Sequence, residues 1–218
     1  MKSLPLLLGL FFTIVATALP ADEPARKVLC FGDSITAGSA MKPADRPRLW
    51  VDQVQAASHG RLELINEGKG GRPTDSLGEF GQALVRYPKI DQLVLALGAN
   101  DARNIKDDCV PLAVKNITAM VQRARATYGA TLPILIVGPT NINKEKLGPT
   151  KPIGPQREQK LKDLNAAFEK LAKELNCTFV SLYGVVPPEA MSVDGVHPDA
   201  AGNEPITRTV LSKLLPVP

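Results

Sequence analysis

Three short stretches of this chain carry side chains whose types and spacing could do chemistry, and all three suit nucleophilic attack on a carbonyl. Ser34 lies in Phe31-Gly32-Asp33-Ser34-Ile35-Thr36, directly after the apolar run Val28-Leu29-Cys30. A serine hydroxyl is a weak nucleophile near neutral pH until a neighbouring base takes its proton. Imidazole suits that task, and the chain holds 2 histidines, His59 and His197. His59, in Ser58-His59-Gly60, falls at the end of a helical pattern, where a capping or surface role is expected. His197 follows Asp194 by three residues in Asp194-Gly195-Val196-His197. One turn of chain can bring that carboxylate to Nδ1, fixing the tautomer and stabilising the imidazolium. Further His or Cys ligands are absent from that neighbourhood of the sequence, so no metal is expected, and acyl transfer by this machinery needs no organic cofactor.

Attack on an ester builds negative charge on oxygen, and each donor aimed at it can contribute about 3 kcal/mol. The chain offers the Ser34 N–H, a glycine N–H from Asn66-Glu67-Gly68-Lys69-Gly70-Gly71, and the Asn100 amide in Gly98-Ala99-Asn100-Asp101. Glycine suits the second role because a missing Cβ lets backbone approach a ligand. Taken singly, Gly and Asn are also what any strand-to-helix loop uses. Asp33 and Asp101 are assigned structural support, as helix caps or acceptors for loop amides. Neither Gly-x-Ser-x-Gly nor the Gly-x-x-x-x-Gly-Lys-Ser/Thr phosphate loop is present.

These segments need a frame that brings them together. Five apolar runs, Val28 to Phe31, Leu62 to Ile65, Leu93 to Leu97, Ile134 to Val137 and Phe179 to Leu182, read as buried strands. Between them, Leu49, Trp50, Val54 and Ala57; Leu77, Phe80 and Leu84; Val114, Ile117, Val121 and Ala124; and Leu161, Leu164, Phe168, Leu171 and Leu175 each mark one helical face. A last helix is expected from about Asn203, read as its N-cap, with Pro205 in its first turn. Alternating strands and helices argue for an α/β domain with a five-stranded parallel sheet covered on both faces. Ligands then bind at the carboxyl ends of the strands, where Ser34, the glycine loop and Asn100 all emerge. The Pro-, Gly- and Lys-rich segment 138–155 is long for a connection in a compact domain and is a candidate substrate loop.

At 218 residues with 44% hydrophobic content, the chain fits one domain. Lys2, the apolar stretch from Leu4 to Ala16 and the small residues Ala16-Thr17-Ala18 give residues 1–21 the pattern of a secretory signal peptide, too short for a membrane span. The domain is therefore expected over 22–218, in a secreted or periplasmic protein with no stable membrane span after signal removal. The net charge of +4 is not concentrated in any dense basic run, so no nucleic-acid partner is expected. Cys30, Cys109 and Cys177 form no CxxC pair; export would permit a Cys109–Cys177 bridge. Asn116-Ile117-Thr118 and Asn176-Cys177-Thr178 match the glycosylation sequon.

Taken together and in order, Phe31-Gly32-Asp33-Ser34-Ile35-Thr36-Ala37-Gly38, the Asn66 to Gly71 loop, Gly98-Ala99-Asn100-Asp101 and Asp194-Gly195-Val196-His197-Pro198 resemble the four sequence blocks of the SGNH hydrolase superfamily, the GDSL-type esterases and lipases. The resemblance spans nearly the whole chain after residue 21. It implies a flavodoxin-like three-layer α/β/α sandwich and a Ser34, His197, Asp194 triad. It also implies an oxyanion hole of Ser34, Gly71 and Asn100, Gly71 being the glycine that fits Asn66-x-Gly68-x-x-Gly71. Arg72-Pro73 departs from the small polar residues usual after that glycine.

Arg46, Arg48, Arg72, Arg103, Lys144, Lys146 and Lys151 fall in loops around the inferred site, which favours polar esters over long acyl lipids. Exported relatives include carbohydrate deacetylases, so the reading is a serine esterase removing O-acetyl groups from saccharides, with the arginines suited to an acidic sugar. Lysophospholipase or thioesterase activity shares the same machinery. A non-catalytic carbohydrate-binding protein on the same fold is the reading from a different class. Trp50 could stack on a sugar, but its place in the Leu49, Trp50, Val54 face favours the core.

Overall fold

The computed structural model describes residues 24–147 and 153–215, so the expected signal peptide and Lys151 lie outside the described residues. In chain order the strands are β1 (Arg26–Gly32), β2 (Leu62–Gly68), β3 (Gln92–Ala96), β4 (Ile134–Gly138) and β5 (Thr178–Ser181). They form one sheet in the order β2-β1-β3-β4-β5, and every pairing is parallel. The helices are α1 (Ser34–Ala37), α2 (Trp50–Ala57), α3 (Leu77–Arg86), α4 (Cys109–Tyr128), α5 (Lys144–Leu147), α6 (Gly154–Glu174) and α7 (Ala200–Leu214).

The sheet explains why its strands read as unbroken apolar runs. Successive side chains of a strand point to opposite faces, and both faces are covered here. Leu29, Phe31, Leu93 and Leu95 pack into one core with residues of α3, α4 and α6, including Phe80, Ile117 and Phe168. Val28, Cys30, Val94 and Val137 pack into the other with Trp50, Val54, Ile206 and Val210 of α2 and α7. This is the flavodoxin-like α/β/α arrangement. Strand order reverses between β1 and β3, and such a switch point opens a crevice at the carboxyl ends. Register aligns those ends: Gly32 pairs with Gly68 on one side and with Ala96 on the other.

Trp50 is 2% exposed within the second core, so it is not a stacking platform for sugars. His59 takes a positive φ of 51° just beyond α2, and its N–H donates to Ala56 O, a helix-ending role.

One expectation needs correction, and one question the sequence left open is answered. The last helix starts at Ala200 rather than near Asn203, because Asp199 is its N-cap and accepts from Gly202 N. Asn203 caps a different helix: its Oδ1 accepts from the N–H of Trp50, the first residue of α2. Leu49, at the N-cap position of α2, has no side chain able to do so. The Cys109–Cys177 bridge is also excluded, since all three cysteines are free. Cys109 opens α4, whereas Cys177 lies against Arg125 in that helix's last turn. The 16 steps from Cys109 to Arg125 amount to about 24 Å of helix, so Cys109 and the turn beside Cys177 lie at opposite ends of α4.

Candidate active site

Ser34 sits at the first position of α1, immediately beyond the end of β1. The turn that exposes it is held from several directions. Asp33 caps α1 by accepting from Ile35 N at 2.9 Å. Asn66, near the end of β2, donates from Nδ2 to Thr36 O at 2.9 Å and accepts from Gly68 N at 2.9 Å. Gly68 is obligatory by contact, because a Cβ there would lie 2.2 Å from Ala37 N. Burial without an ion pair pushes the Asp33 carboxyl up to about 6; the Ile35 N–H and the charges of His197 and Arg72 oppose the shift, and Asp101 adds to it.

His197 and Asp194 come from the loop between β5 and α7. This loop folds on itself through a bridge between Met191 and Pro198 and a bond from Ser192 N to His197 O at 2.8 Å. Asn143 N donates to Gly195 O at 2.8 Å, tying it to the segment after β4. Gly195 has φ +69°, and a Cβ there would meet Asn143 O at 2.4 Å, so the turn between carboxylate and imidazole requires glycine.

The loop delivers its groups to the end of β1. Ser34 Oγ lies 2.9 Å from His197 Nε2, and His197 Nδ1 lies 2.5 Å from Asp194 Oδ2. The other carboxylate oxygen accepts from Val196 N at 2.8 Å, His197 N at 3.1 Å and the Ser192 hydroxyl at 2.8 Å. Partial burial pushes the Asp194 carboxyl up, but these hydrogen bonds, led by the His197 ring, outweigh it and hold the group well below the usual carboxylate range. Asp194 therefore stays ionised and fixes the ring proton on Nδ1. In the neutral ring this leaves Nε2 to accept from the hydroxyl.

Asn100 follows β3 and lines the same cleft as Ser34 and His197. Its Nδ2 donates to Arg72 O at 3.1 Å, which uses one of its two N–H groups. Gly71 has φ +74° with open space where a Cβ would stand, but it is not among the residues lining that cleft. Asp101 ties two of the loops together, accepting from Thr74 N at 3.0 Å and from the Thr74 hydroxyl at 2.5 Å.

Most of the basic residues that the sequence placed around the site are occupied elsewhere. Arg72 is 6% exposed; it donates to Gly32 O and Glu67 O, pairs with Glu79 and lies 4.0 Å from the centre of the Phe31 ring. That explains Arg72 after the glycine loop: it braces the ends of β1 and β2. Arg46 donates to Ala37 O, Arg48 pairs with Glu204, Lys144 with Glu158, and Lys146 donates to Met191 O. Of the described members of that set, only Arg103 lines the cleft.

The cleft holds about 410 Å³ and is lined by Ser34, Asn100, Arg103, Arg157 and His197, with Leu147, Ile153 and Val196 as apolar wall. Arg157, which sequence reading missed, lies in the first turn of α6. Nothing local marks it in the sequence, because the topology that returns α6 to this edge is what brings it there.

A profile of the GDSL-like lipase/acylhydrolase family matches residues 30–204, more than half of the chain. The chain belongs to that family. It is thus a member of a hydrolase family of esterase type. A carbohydrate acetylesterase family member from Sinorhizobium meliloti superposes with a TM-score of 0.72 at 25% identity, covering 87% of this chain and 97% of that one. The aryl esterase of M. smegmatis gives 0.71 at 22% identity over 87% and 98% of the two chains, a likeness of fold. Lipoprotein YqeF of Bacillus subtilis (strain 168) is 34% identical over 95 residues, 43% of this chain. The matched stretch spans only 39% of YqeF. No helix among the described residues is long and apolar enough to cross a membrane.

Proposed function

We propose that this protein is a serine esterase that removes O-acetyl groups from carbohydrates, using Ser34 as nucleophile, His197 as base and Asp194 as the group that orients the base. One observation carries the reading: the hydroxyl, imidazole and carboxylate form an unbroken hydrogen-bonded chain, 2.9 Å and then 2.5 Å, at the mouth of a cleft. In the first half-reaction His197 Nε2 takes the Ser34 proton as Oγ attacks the acetyl carbon. Negative charge gathers on the carbonyl oxygen, facing Ser34 N–H and the second Asn100 N–H in the cleft; Gly71, outside the cleft lining, would add its N–H only if its loop moved inward. The imidazolium, stabilised by Asp194, then gives its proton to the departing sugar oxygen. Water, deprotonated by the same ring, releases acetate and restores Ser34.

The lining of the cleft supports a polar alcohol over a long acyl chain, since two guanidinium groups and an amide flank Ser34. Likeness to a carbohydrate acetylesterase family member at 25% identity supports the same substrate class. The leader pattern of residues 1–21, with partial similarity to a lipoprotein, supports action outside the cytoplasm. A panel of acetylated uronate oligomers, acetyl-xylan and medium-chain p-nitrophenyl esters tests the reading on the purified protein, beside Ser34→Ala. Release of acetate from the saccharides is expected, and is lost in the variant. A strong preference for longer acyl chains would overturn the saccharide assignment in favour of lysophospholipase or thioesterase activity.

A further inference from the structure

The chain buries two arginines near this cleft to almost the same depth, Arg72 at 6% and Arg157 at 7% exposure. Their partners differ sharply. Arg72 has two carbonyls, a carboxylate and an aromatic face. Arg157 has one carbonyl: its Nη2 donates to Ala99 O at 3.1 Å. Its Nε is sealed from solvent without an acceptor. Among the described residues no acceptor meets Nη1, and no carboxylate forms an ion pair with this guanidinium.

A buried cation without a counterion is costly, and removing solvent from it lowers its affinity for its proton. Both burial and the neighbouring charge of exposed Arg103 press the Arg157 guanidinium in that direction, while Asp194 and Asp33 partly offset them. Arg157 and Arg103 nevertheless line the same cleft as Ser34 and Asn100. The N-terminal end of α6, with Ile153 and Arg157, faces it too, and a helix N-terminus favours negative charge. Arg103 adds repulsion to this cation, and Asp194, which lines the same cleft, relieves it only in part, so an anion entering between the two guanidinium groups would be drawn to both.

We propose that Arg157 and Arg103 form an anion-recognising subsite, so that the ester cleaved at Ser34 carries a carboxylate within about one sugar unit of the scissile bond. This rests on the esterase reading above and makes its substrate class narrower. A carboxylate accepts from a guanidinium through two oxygens, and in the cleft it would supply an acceptor for Nη1, which unlike Nε is not sealed, and a counter-charge for the whole group. The carboxylate can come from a uronic acid on the alcohol side or from a dicarboxylic acyl group on the other side of the ester.

Matched methyl glycosides separate these sources. The neutral reference is an O-acetyl glucoside; an O-acetyl glucuronoside puts the carboxylate on the alcohol, and an O-succinyl glucoside puts it on the acyl group. At low ionic strength kcat/KM for one of the two anionic esters is expected to exceed the neutral one by about tenfold or more. That ratio should fall towards one in Arg157→Gln, be partly kept in Arg157→Lys, and drop in Arg103→Gln. Arg103 is exposed, so this last variant tests the subsite even if Arg157→Gln fails to fold. Equal rates on all three esters, or a uniform loss in Arg157→Gln with the ratio intact, would overturn the subsite and reduce Arg157 to a brace for Ala99. p-Nitrophenyl acetate carries neither sugar nor carboxylate and reports the Ser34 machinery alone. Turnover there without anionic preference defeats the subsite and leaves the esterase reading standing, whereas no turnover of any ester defeats both.

Discussion

Ser34 stands at the end of a strand paired on both sides, whereas His197 stands on a loop held by a few hydrogen bonds of its own. Around Ser34 the register of β1 with β2 and β3 fixes Gly32 against Gly68 and Ala96. Arg72 then pins the ends of β1 and β2 through Gly32 O and Glu67 O. The same backbone order that stabilises the sheet therefore positions the nucleophile. Around His197 the fixing bonds lie outside the sheet: the Met191–Pro198 bridge and three donors on one Asp194 oxygen within the loop, and bonds from Asn143 to Gly195 and from Lys146 to Met191 that tie it to the segment after β4. Damage to the backbone on the first side should cost stability along with activity; damage to the backbone on the second should cost activity first.

Ser34→Ala gives the largest effect on this account. It is expected to lower kcat for acetyl esters by about ten-thousandfold or more with the unfolding midpoint nearly unchanged, since only the hydroxyl is lost. Steady-state kinetics and thermal unfolding on one preparation check both halves. Asn100→Ala should lower kcat by about a hundredfold through the lost oxyanion donor. An unchanged rate would remove Asn100 from the oxyanion hole.

Two glycine substitutions set the regions directly against each other. Gly68→Ala drives a Cβ to within 2.2 Å of Ala37 N, and backbone at a strand end cannot yield easily. A loss of about 2–3 kcal/mol in urea unfolding is expected. Gly195→Ala meets Asn143 O at 2.4 Å and strains a φ of +69°, but in a loop outside the sheet. It should displace the imidazole and lower kcat by about tenfold or more, with a smaller loss of stability than Gly68→Ala. Equal stability losses in the two variants would contradict the contrast.

The smallest effect concerns Asp33. Its carboxyl is raised to about 6, against about 3.9 in an unfolded chain. Between those values the folded chain holds a proton that the unfolded chain has released, so this group's contribution to stability falls as pH rises through that window. Asp194, held low, acts in the opposite sense: its contribution is present above the ordinary carboxylate range and is lost as pH falls below it. Asp33→Asn keeps an acceptor for Ile35 N and is expected to add about 2 kcal/mol at pH 7 and to flatten the decline from pH 4 to 7. Urea unfolding across that range checks it.

The two regions also differ in how far the sequence exposes them. The strand-end groups were legible because Val28-Leu29-Cys30-Phe31 and Leu93-Val94-Leu95 must be buried strands, and parallel strands send the residues that follow them to one edge. Ser34 and Asn100 followed from that and from the family-like blocks. Asp194 and His197 were legible from their family-like block, but the folding of residues 191–198 depends on partners at Asn143 and Lys146 that no local pattern announces. Side-chain traffic between distant elements was equally hidden. Asn203 looked like the cap of its own helix and caps α2, Arg72 looked like a substrate contact and is a brace, and Arg157 carried no mark. Each outcome turns on which element packs beside which, a three-dimensional fact that spacing alone does not encode.

The central claim is that the Ser34 hydroxyl, activated by His197, becomes covalently acylated. A fluorophosphonate probe followed by intact-mass measurement and peptide mapping tests it most directly. One probe adduct per chain, on the peptide containing Ser34, absent in Ser34→Ala and strongly slowed in His197→Ala, is the result expected. An adduct on another residue, or none on a folded protein that still hydrolyses acetyl esters, would contradict it.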